Sequence, residues 1–558
     1  MKNPGNRCET WVLLGLVVAS LLLRCALVRT DRIVRWDEPD YLILGKHLFT
    51  GQGYTVSGRP ELHYAPLFPI TTGVLYPLTH NMKVNSDINY VLFGALGLVP
   101  FFLLTRRLFG LRTAAMSAVL LCLFPALNAG VLFWGTMLEP LYLFLLSSGL
   151  YAVWMAWEQQ RVAAYLAAGV AFGLAYLAKP EAVVYFVGMM FLLMLANLWR
   201  PSLWPASPDA SGNLGRDASS ARSRLTGLVV AGLAFALVIA PYLLFMYRHT
   251  GRLMISGKLG VTYVAGQGAV DRDPGLYDRA LSRLDEAGEE IIWFSPDRFK
   301  YQVWDYIKAD PPAFLRRMWQ NANILERVLF THQVFPFYLL VLVALGWFGS
   351  AWDRQRALRE GFLLAAALPA FIFLPFHIEL RYFAPMLPIL LLWVAKGAGA
   401  LGQWFQATWT RLRPGSAEGR LGEGLTLLLA ALLAAYFLVL QPRVVQDGLA
   451  DMSVSRREAG LWLKANASSD ALIMSRDTEV PFYAERRWAA TPNEEYVRFI
   501  TYVRKRGAQF VVIDEREAKV IRPQLAFLLD EDAAPPELKR VYAARDARGN
   551  SVVYEVRY

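Results

Sequence analysis

Apolar residues run in long blocks through most of the first 441 positions, and polar residues are confined to the gaps between them. Eleven blocks are long enough, or nearly so, to cross hydrocarbon as helices, at roughly 11–28, 88–105, 113–131, 138–156, 162–178, 182–199, 225–247, 334–351, 361–376, 383–400 and 424–441. The first runs only thirteen residues from Trp11 before it meets Arg24, so a signal peptide competes with an uncleaved span. No small-residue cleavage site follows, and the arginine in Leu22-Leu23-Arg24-Cys25 spoils a lipoprotein site. We read an uncleaved span with Arg24 snorkelling outward. Beyond 441 the pattern changes. Ala471-Leu472-Ile473-Met474 and Gln509-Phe510-Val511-Val512-Ile513 predict buried strands, Ser551 to Val556 an edge strand, and Glu494 to Arg506 an amphipathic helix.

The fold class is therefore a polytopic α-helical membrane protein, 1–441, followed by a small α/β domain, 442–558, of about 115 residues, enough for its own core. Composition agrees: 55% hydrophobic against 18% charged residues is too apolar for an ordinary soluble protein of 558 residues. With a cytoplasmic N-terminus, the inside segments 1–10, 106–112, 157–161, 200–224, 352–360 and 396–423 hold 17 Lys/Arg against 8 Asp/Glu. That net +9 accounts for nearly all of the chain's +11 and is the positive-inside bias of a cytoplasmic membrane protein. The basic excess thus gives no support to a nucleic-acid partner. The tail, with 19 Lys/Arg and 18 Asp/Glu, is nearly neutral and extracytoplasmic in this topology. Cys8, Cys25 and Cys122 lie in or beside spans and read as small buried hydrophobes, not as a disulfide or zinc framework.

Two outer loops carry the polar character. The first, 29–87, contains Arg35-Trp36-Asp37-Glu38-Pro39-Asp40-Tyr41, then Gly51-Gln52-Gly53-Tyr54, then Glu61 to Pro69, and reads as an ordered loop at the interface. The second, 248–333, has Trp, Tyr, Phe and Arg at helical spacing from Asp297 to Phe330, as in helices resting on a membrane surface. On the inner side, 200–224 is rich in Pro, Ser and Arg without periodicity and reads as a flexible linker.

The candidate chemistry collects on the outer side: Asp37, Glu38, His63, Tyr64, Glu139, Lys179, Glu181, His377, Glu379 and Arg381. Each has an ordinary reading. Glu139-Pro140 suits a helix start, Lys179-Pro180-Glu181 a turn with an ion pair, Arg381 an interfacial anchor, and His63 a packed loop histidine. Their concentration on one face favours function. Three carboxylates just outside a bilayer are costly and rarely accidental. Transfer from a phosphate-linked lipid needs this mixture: a carboxylate to deprotonate an incoming hydroxyl or steady a sugar cation, and cations to hold the departing phosphate. Asp37 and Glu38 supply the first; adjacent side chains point apart, so one is catalytic and the other holds the loop or acceptor. His63, Lys179, His377 and Arg381 supply the second, with Tyr64, Glu139 and Glu181 as further substrate contacts.

Trp36-Asp37-Glu38, His63-Tyr64-Ala65-Pro66-Leu67, Lys179-Pro180-Glu181 and Arg381-Tyr382-Phe383-Ala384-Pro385-Met386-Leu387-Pro388 resemble the GT-C membrane glycosyltransferases over about residues 10–400. Within them, the likeness is to the protein O-mannosyltransferases and lipid A aminoarabinose transferases. The resemblance implies a GT-C fold, a polyprenyl-phosphate-linked sugar donor, and inverting transfer to a cell-envelope acceptor on the outer face of the cytoplasmic membrane. Asp37 matches the catalytic acidic position of the first loop, with Glu38 beside it. Where the aminoarabinose transferases carry Lys-Pro-Pro-Leu, this chain reads Tyr64-Ala65-Pro66-Leu67, so His63 or a distant cation must replace that lysine. We expect no cofactor. Asp37, Glu38, Asp40 and Glu139 form an alternative hard-cation set. The competing classes are a lipid-linked-sugar flippase, whose ionisable residues belong nearer the midplane, and a silent sensor or scaffold with an external domain.

Overall fold

The computed structural model describes residues 4–203, 215–331, 334–413 and 421–558. Six helices among them are long and apolar enough to cross a membrane: Glu9–Leu27, Met82–Phe109, Glu139–Gln159, Arg224–Thr250, Met386–Leu412 and Leu421–Ala450. Five shorter apolar helices pack among them, at Leu67–Thr79, Leu111–Leu123, Val162–Ala178, Ala182–Ala196 and Leu339–Phe348. Several are shorter than the hydrophobic pattern predicts because proline ends them. The helix from Leu111 stops at Leu123 before Pro125, and the chain continues as 3₁₀ turns Pro125–Leu127 and Gly130–Phe133. Likewise Arg354–Ala367 gives way to the 3₁₀ turn Leu368–Phe373 at Pro369. Of the expected linker, 204–214 lies outside the described residues, and the helices Ala182–Leu203 and Gly215–Thr250 extend into the rest.

Arg24 does not snorkel. It is 5% exposed, lies 4.6 Å over the Tyr90 ring and donates through Nη2 to the Leu127 carbonyl at 2.9 Å. Irregular backbone at Leu127 leaves a carbonyl free of the helix ladder, and a guanidinium satisfies it better than lipid can.

The first loop is more regular than its composition suggests. Glu38–Phe49 is a helix with Pro39 and two acids, Glu38 and Asp40, in its first turn and Lys46 and His47 in its last, a charge order that suits the helix dipole. A two-stranded hairpin follows, β1 Thr55–Val56 and β2 Arg59–Pro60. In the second loop, Asp310 Oδ1 caps Pro311–Leu329 by accepting from Ala313 N at 2.9 Å. That helix keeps Leu315 and Trp319 exposed, and the short helix Val303–Ala309 before it keeps Trp304 exposed, as surface-lying helical segments should.

The C-terminal domain is a five-stranded mixed sheet with helices: β3 Leu472–Ser475, β4 Arg487–Ala490, β5 Phe510–Asp514, β6 Leu538–Asp546 and β7 Gly549–Val556, in the order β4-β3-β5-β7-β6. The segment predicted as an edge strand, 551–556, is interior. β7 is antiparallel to both β5 and β6, and Val552, Val553 and Tyr554 are buried. The true edges are β4, a short Arg-Trp-Ala-Ala run, and β6, where Lys539-Arg540 and Arg545-Asp546 interrupt the apolar residues, so neither shows a continuous apolar block.

The domain grips the first loop. Tyr483 Oη accepts from Val34 N at 2.7 Å, Met452 Sδ accepts from Ile33 N at 3.1 Å, and Ser57 Oγ donates to Trp488 O at 2.6 Å. Asp278, on the second-loop helix Leu276–Leu281, is clasped by Arg476 and Arg522, whose charges hold its carboxyl down at about 2 despite burial.

Candidate active site

Asp37 stands at the N-terminal boundary of the helix Glu38–Phe49, where backbone N–H groups and the positive dipole end favour a carboxylate. Two contacts aim it. Arg381 Nη1 donates to Oδ2 at 2.9 Å, and Tyr64 Oη lies 3.2 Å from Oδ1. Tyr64 Oη is also 3.2 Å from Asp40 Oδ2, and one phenolic hydrogen cannot serve both carboxylates. Burial, reinforced by the charge of Asp37, pushes Asp40 well above the usual carboxylate range. The side chain of Asp37 remains 30% exposed, so the carboxylate is held without being sealed.

Glu38 points elsewhere. Its oxygens accept from Arg32 at 2.8 and 3.0 Å and from Ser86 at 2.7 Å, and Arg32 continues to Asp87 at 2.7 Å. Glu38 and Arg32 are each 1% exposed, so this is a buried strut tying the loop to the helix Met82–Leu96. Of the adjacent acids, Asp37 faces the accessible side and Glu38 anchors it.

Three cations surround Asp37. Arg381 also pairs with Glu379, which accepts from His377 Nε2 at 2.7 Å; burial alone would raise Glu379, but Arg381 and His377 hold it down at about 2. Lys179 sits 3.3 Å from Glu139 and 3.8 Å from Glu181, and Glu139 accepts from Thr136 Oγ1 at 2.6 Å. Both cations are thus already matched by two carboxylates each. The third, Lys258, was not anticipated. Its Nζ lies 4.6 Å above the Tyr64 ring, Asp37, Arg381, Glu181 and Lys179 are the charges that act on it, and no carboxylate comes within ion-pair distance among the described residues. Burial lowers its pKa, with Asp37 opposing. Its approach requires Gly257, where a Cβ would fall 2.0 Å from the Leu62 carbonyl oxygen.

His63 lies beside this group but is packed between Tyr64 and Trp293, with ring centroids 4.8 and 4.4 Å away. Burial, with Lys258 and Arg298 nearby, pushes its pKa well down, so the imidazole is neutral at ordinary pH and offers no positive charge. The site thus joins Asp37, Tyr64, Glu139, Lys179, Glu181, Glu379, His377 and Arg381, and sets Glu38 apart. Among the described residues, no group of three or more His, Cys, Asp and Glu is placed to hold a metal ion, so the hard-cation set is not assembled.

The bundle of apolar helices, with an acid-and-cation cluster at one end and a sheet domain closing over that end, has counterparts of similar fold among solved structures. Two structures of the Archaeoglobus fulgidus oligosaccharyltransferase share it. The apo form matches at TM-score 0.56 with 15% identity, over 91% of this chain and 70% of that one. The same enzyme with an inhibitory peptide and a dolichol-phosphate matches at 0.57 with 14% identity, over 98% and 74%. ArnT from Cupriavidus metallidurans in the apo state matches at 0.49 with 15% identity, over 98% of each chain. Residues 63–208 match the dolichyl-phosphate-mannose-protein mannosyltransferase family. No curated protein matches in sequence.

Proposed function

We propose that the chain transfers a sugar from a polyprenyl-phosphate donor to a cell-envelope hydroxyl on the outer face of the cytoplasmic membrane, with Asp37 as general base. The observation that carries this reading is a partly exposed carboxylate, aimed by Tyr64 and Arg381, with two further cations at its edge. In the step, Asp37 takes the acceptor O–H proton as that oxygen bonds to the anomeric carbon from the face opposite the phosphate. The bond from that carbon to the phosphate oxygen breaks, and the electron pair leaves with the lipid phosphate, giving inversion. Lys258, with no carboxylate within ion-pair distance among the described residues, and Lys179 meet the charge that builds on the leaving oxygen. Arg381 orients the base and is released to the phosphate as Asp37 is protonated. The apolar helices wall the lipid tail.

The dolichol-phosphate held by the archaeal relative and the description of the matching family support a lipid-linked donor. The inner-segment basic bias supports the outward orientation of the site and of the C-terminal domain. The test is transfer of label from a panel of radiolabelled undecaprenyl-phosphate sugars to membrane extract by purified protein, with Asp37→Asn as control. Label reaching an acceptor with wild type alone supports the reading; tight lipid binding without transfer from any donor overturns it in favour of a flippase.

A further inference from the structure

A cavity of about 600 Å³ opens on the other flank of Arg381, between the first loop, the 3₁₀ turns after Leu123 and the end of the helix Leu421–Ala450. Its volume falls in the range of small-molecule sites. Its floor is Arg381 and Glu379, and Asp447 and Asp451 stand on the wall formed by the last helix. Asp451 accepts from Arg35 at 3.1 Å and from Arg548 at 2.7 Å. Carboxylates predominate on the polar lining, which disfavours phosphate and suits a ligand rich in hydroxyl donors.

The residue of this lining that stands out is Trp36, one position before Asp37. It is 53% exposed and holds φ at +58°, a left-handed conformation that strains a bulky residue. The surroundings enforce it. Glu38 N donates to Gly135 O at 2.8 Å, and the indole lies so close to Gly135 that a Cβ there would fall 2.7 Å from Cε3. Arg35 stacks 4.5 Å over the same ring and is fixed in turn by the carbonyls of Phe133 and Asp451. A strained aromatic braced by its neighbours and left open to a cavity is a preformed platform.

We propose that this cavity is the acceptor subsite and that Trp36 is a stacking platform for a sugar ring of the acceptor. Resting on the glycosyl-transfer reading of the neighbouring Asp37, this makes the acceptor a saccharide, not a peptide hydroxyl. The apolar C–H face of a pyranose or furanose lies on the indole, its hydroxyls bond to Glu379 and Asp451, and one hydroxyl is presented past Arg381 to Asp37.

The test is saturation-transfer NMR on the full-length Asp37→Asn protein in detergent. The probes are a panel of methyl hexosides and pentosides, with an N-acetylated Ser/Thr tripeptide for comparison, and no lipid donor is added. Ring C–H protons of at least one glycoside saturate, and Trp36→Phe keeps the signal. Trp36→Ala weakens binding on the order of ten-fold without lowering the melting temperature. Should Trp36→Ala unfold, Trp36→Leu, apolar but without a ring face, takes its place. Saturation of the peptide alone, of no glycoside, or equal binding by the folded Trp36 variants overturns the proposal. Because donor and turnover are absent, failure here leaves glycosyl transfer standing, and absence of transfer leaves this site standing.

Discussion

Arg381 joins Asp37 to Glu379: one guanidinium donates to the first-loop carboxylate at 2.9 Å through Nη1 and faces the second acid through Nε. The two elements it links are 344 residues apart in the chain, so the site exists only when the first loop and the turn before Met386 have docked.

From the role of Asp37 we expect Asp37→Asn to lower transfer by about 10²–10⁴-fold, the usual contribution of a positioned general base. The side chain is partly exposed and serves no buried strut, so the melting temperature in detergent stays within a degree or two of wild type. A large loss of stability would assign Asp37 to folding instead.

Glu38→Gln should do the reverse. It leaves Arg32 buried beside a neutral amide, and breaking a buried pair costs about 3–5 kcal/mol. Thermal unfolding and expression fall first, and residual activity tracks the folded fraction. Normal stability with no activity would put Glu38 in the chemistry.

The two lysines should separate. Lys258→Ala removes a cation that has no carboxylate within ion-pair distance among the described residues, so donor KM rises by about ten-fold or more with little change in melting. Lys179→Ala strands the fully buried Glu139 and lowers stability as well as donor use. Equal melting losses for both variants would contradict the difference in pairing.

A pH dependence belongs to the C-terminal domain. There Arg456 meets Asp477 at 3.0 Å, Glu479 at 3.4 Å, Asp514 at 3.1 Å and Glu517 at 2.8 Å. Burial pushes Glu479 up to about 8 and Glu517 to about 7, against the pull of Arg456. Folded carboxyls therefore keep protons that the unfolded chain loses above the usual carboxylate range, and stability declines as pH rises through the folded values. Protection factors of β5 amides, corrected for the base-catalysed intrinsic exchange rate, should fall between about pH 5 and about pH 8, and Glu479→Gln should flatten that fall. Asp278, at about 2, is ionised throughout the window and adds no slope. Unchanged protection factors across it would contradict the buried cluster.

What the chain discloses in advance follows from what a linear pattern encodes. Apolar blocks announce the helices, and an acid cluster beside them announces Asp37, because both signals are local. The division of labour between Asp37 and Glu38 is not local: it depends on Arg32 and Ser86, which only docking brings to Glu38. Lys258 sits in Ser256-Gly257-Lys258-Leu259-Gly260 without periodicity or neighbouring acids; Gly257 is the one trace of its close approach to the first loop. Arg24 was misplaced because hydropathy treats a span as facing lipid, while here a broken helix offers it a carbonyl.

The clasp of Tyr483 and Met452 on Val34 and Ile33 sets a clock on the protein's birth. These backbone donors wait 449 and 419 residues for their acceptors. The bundle is therefore synthesised before either acceptor exists, and the first loop gains these two anchors only after the C-terminal domain has emerged. A chain truncated before Met452 would reach the membrane with neither.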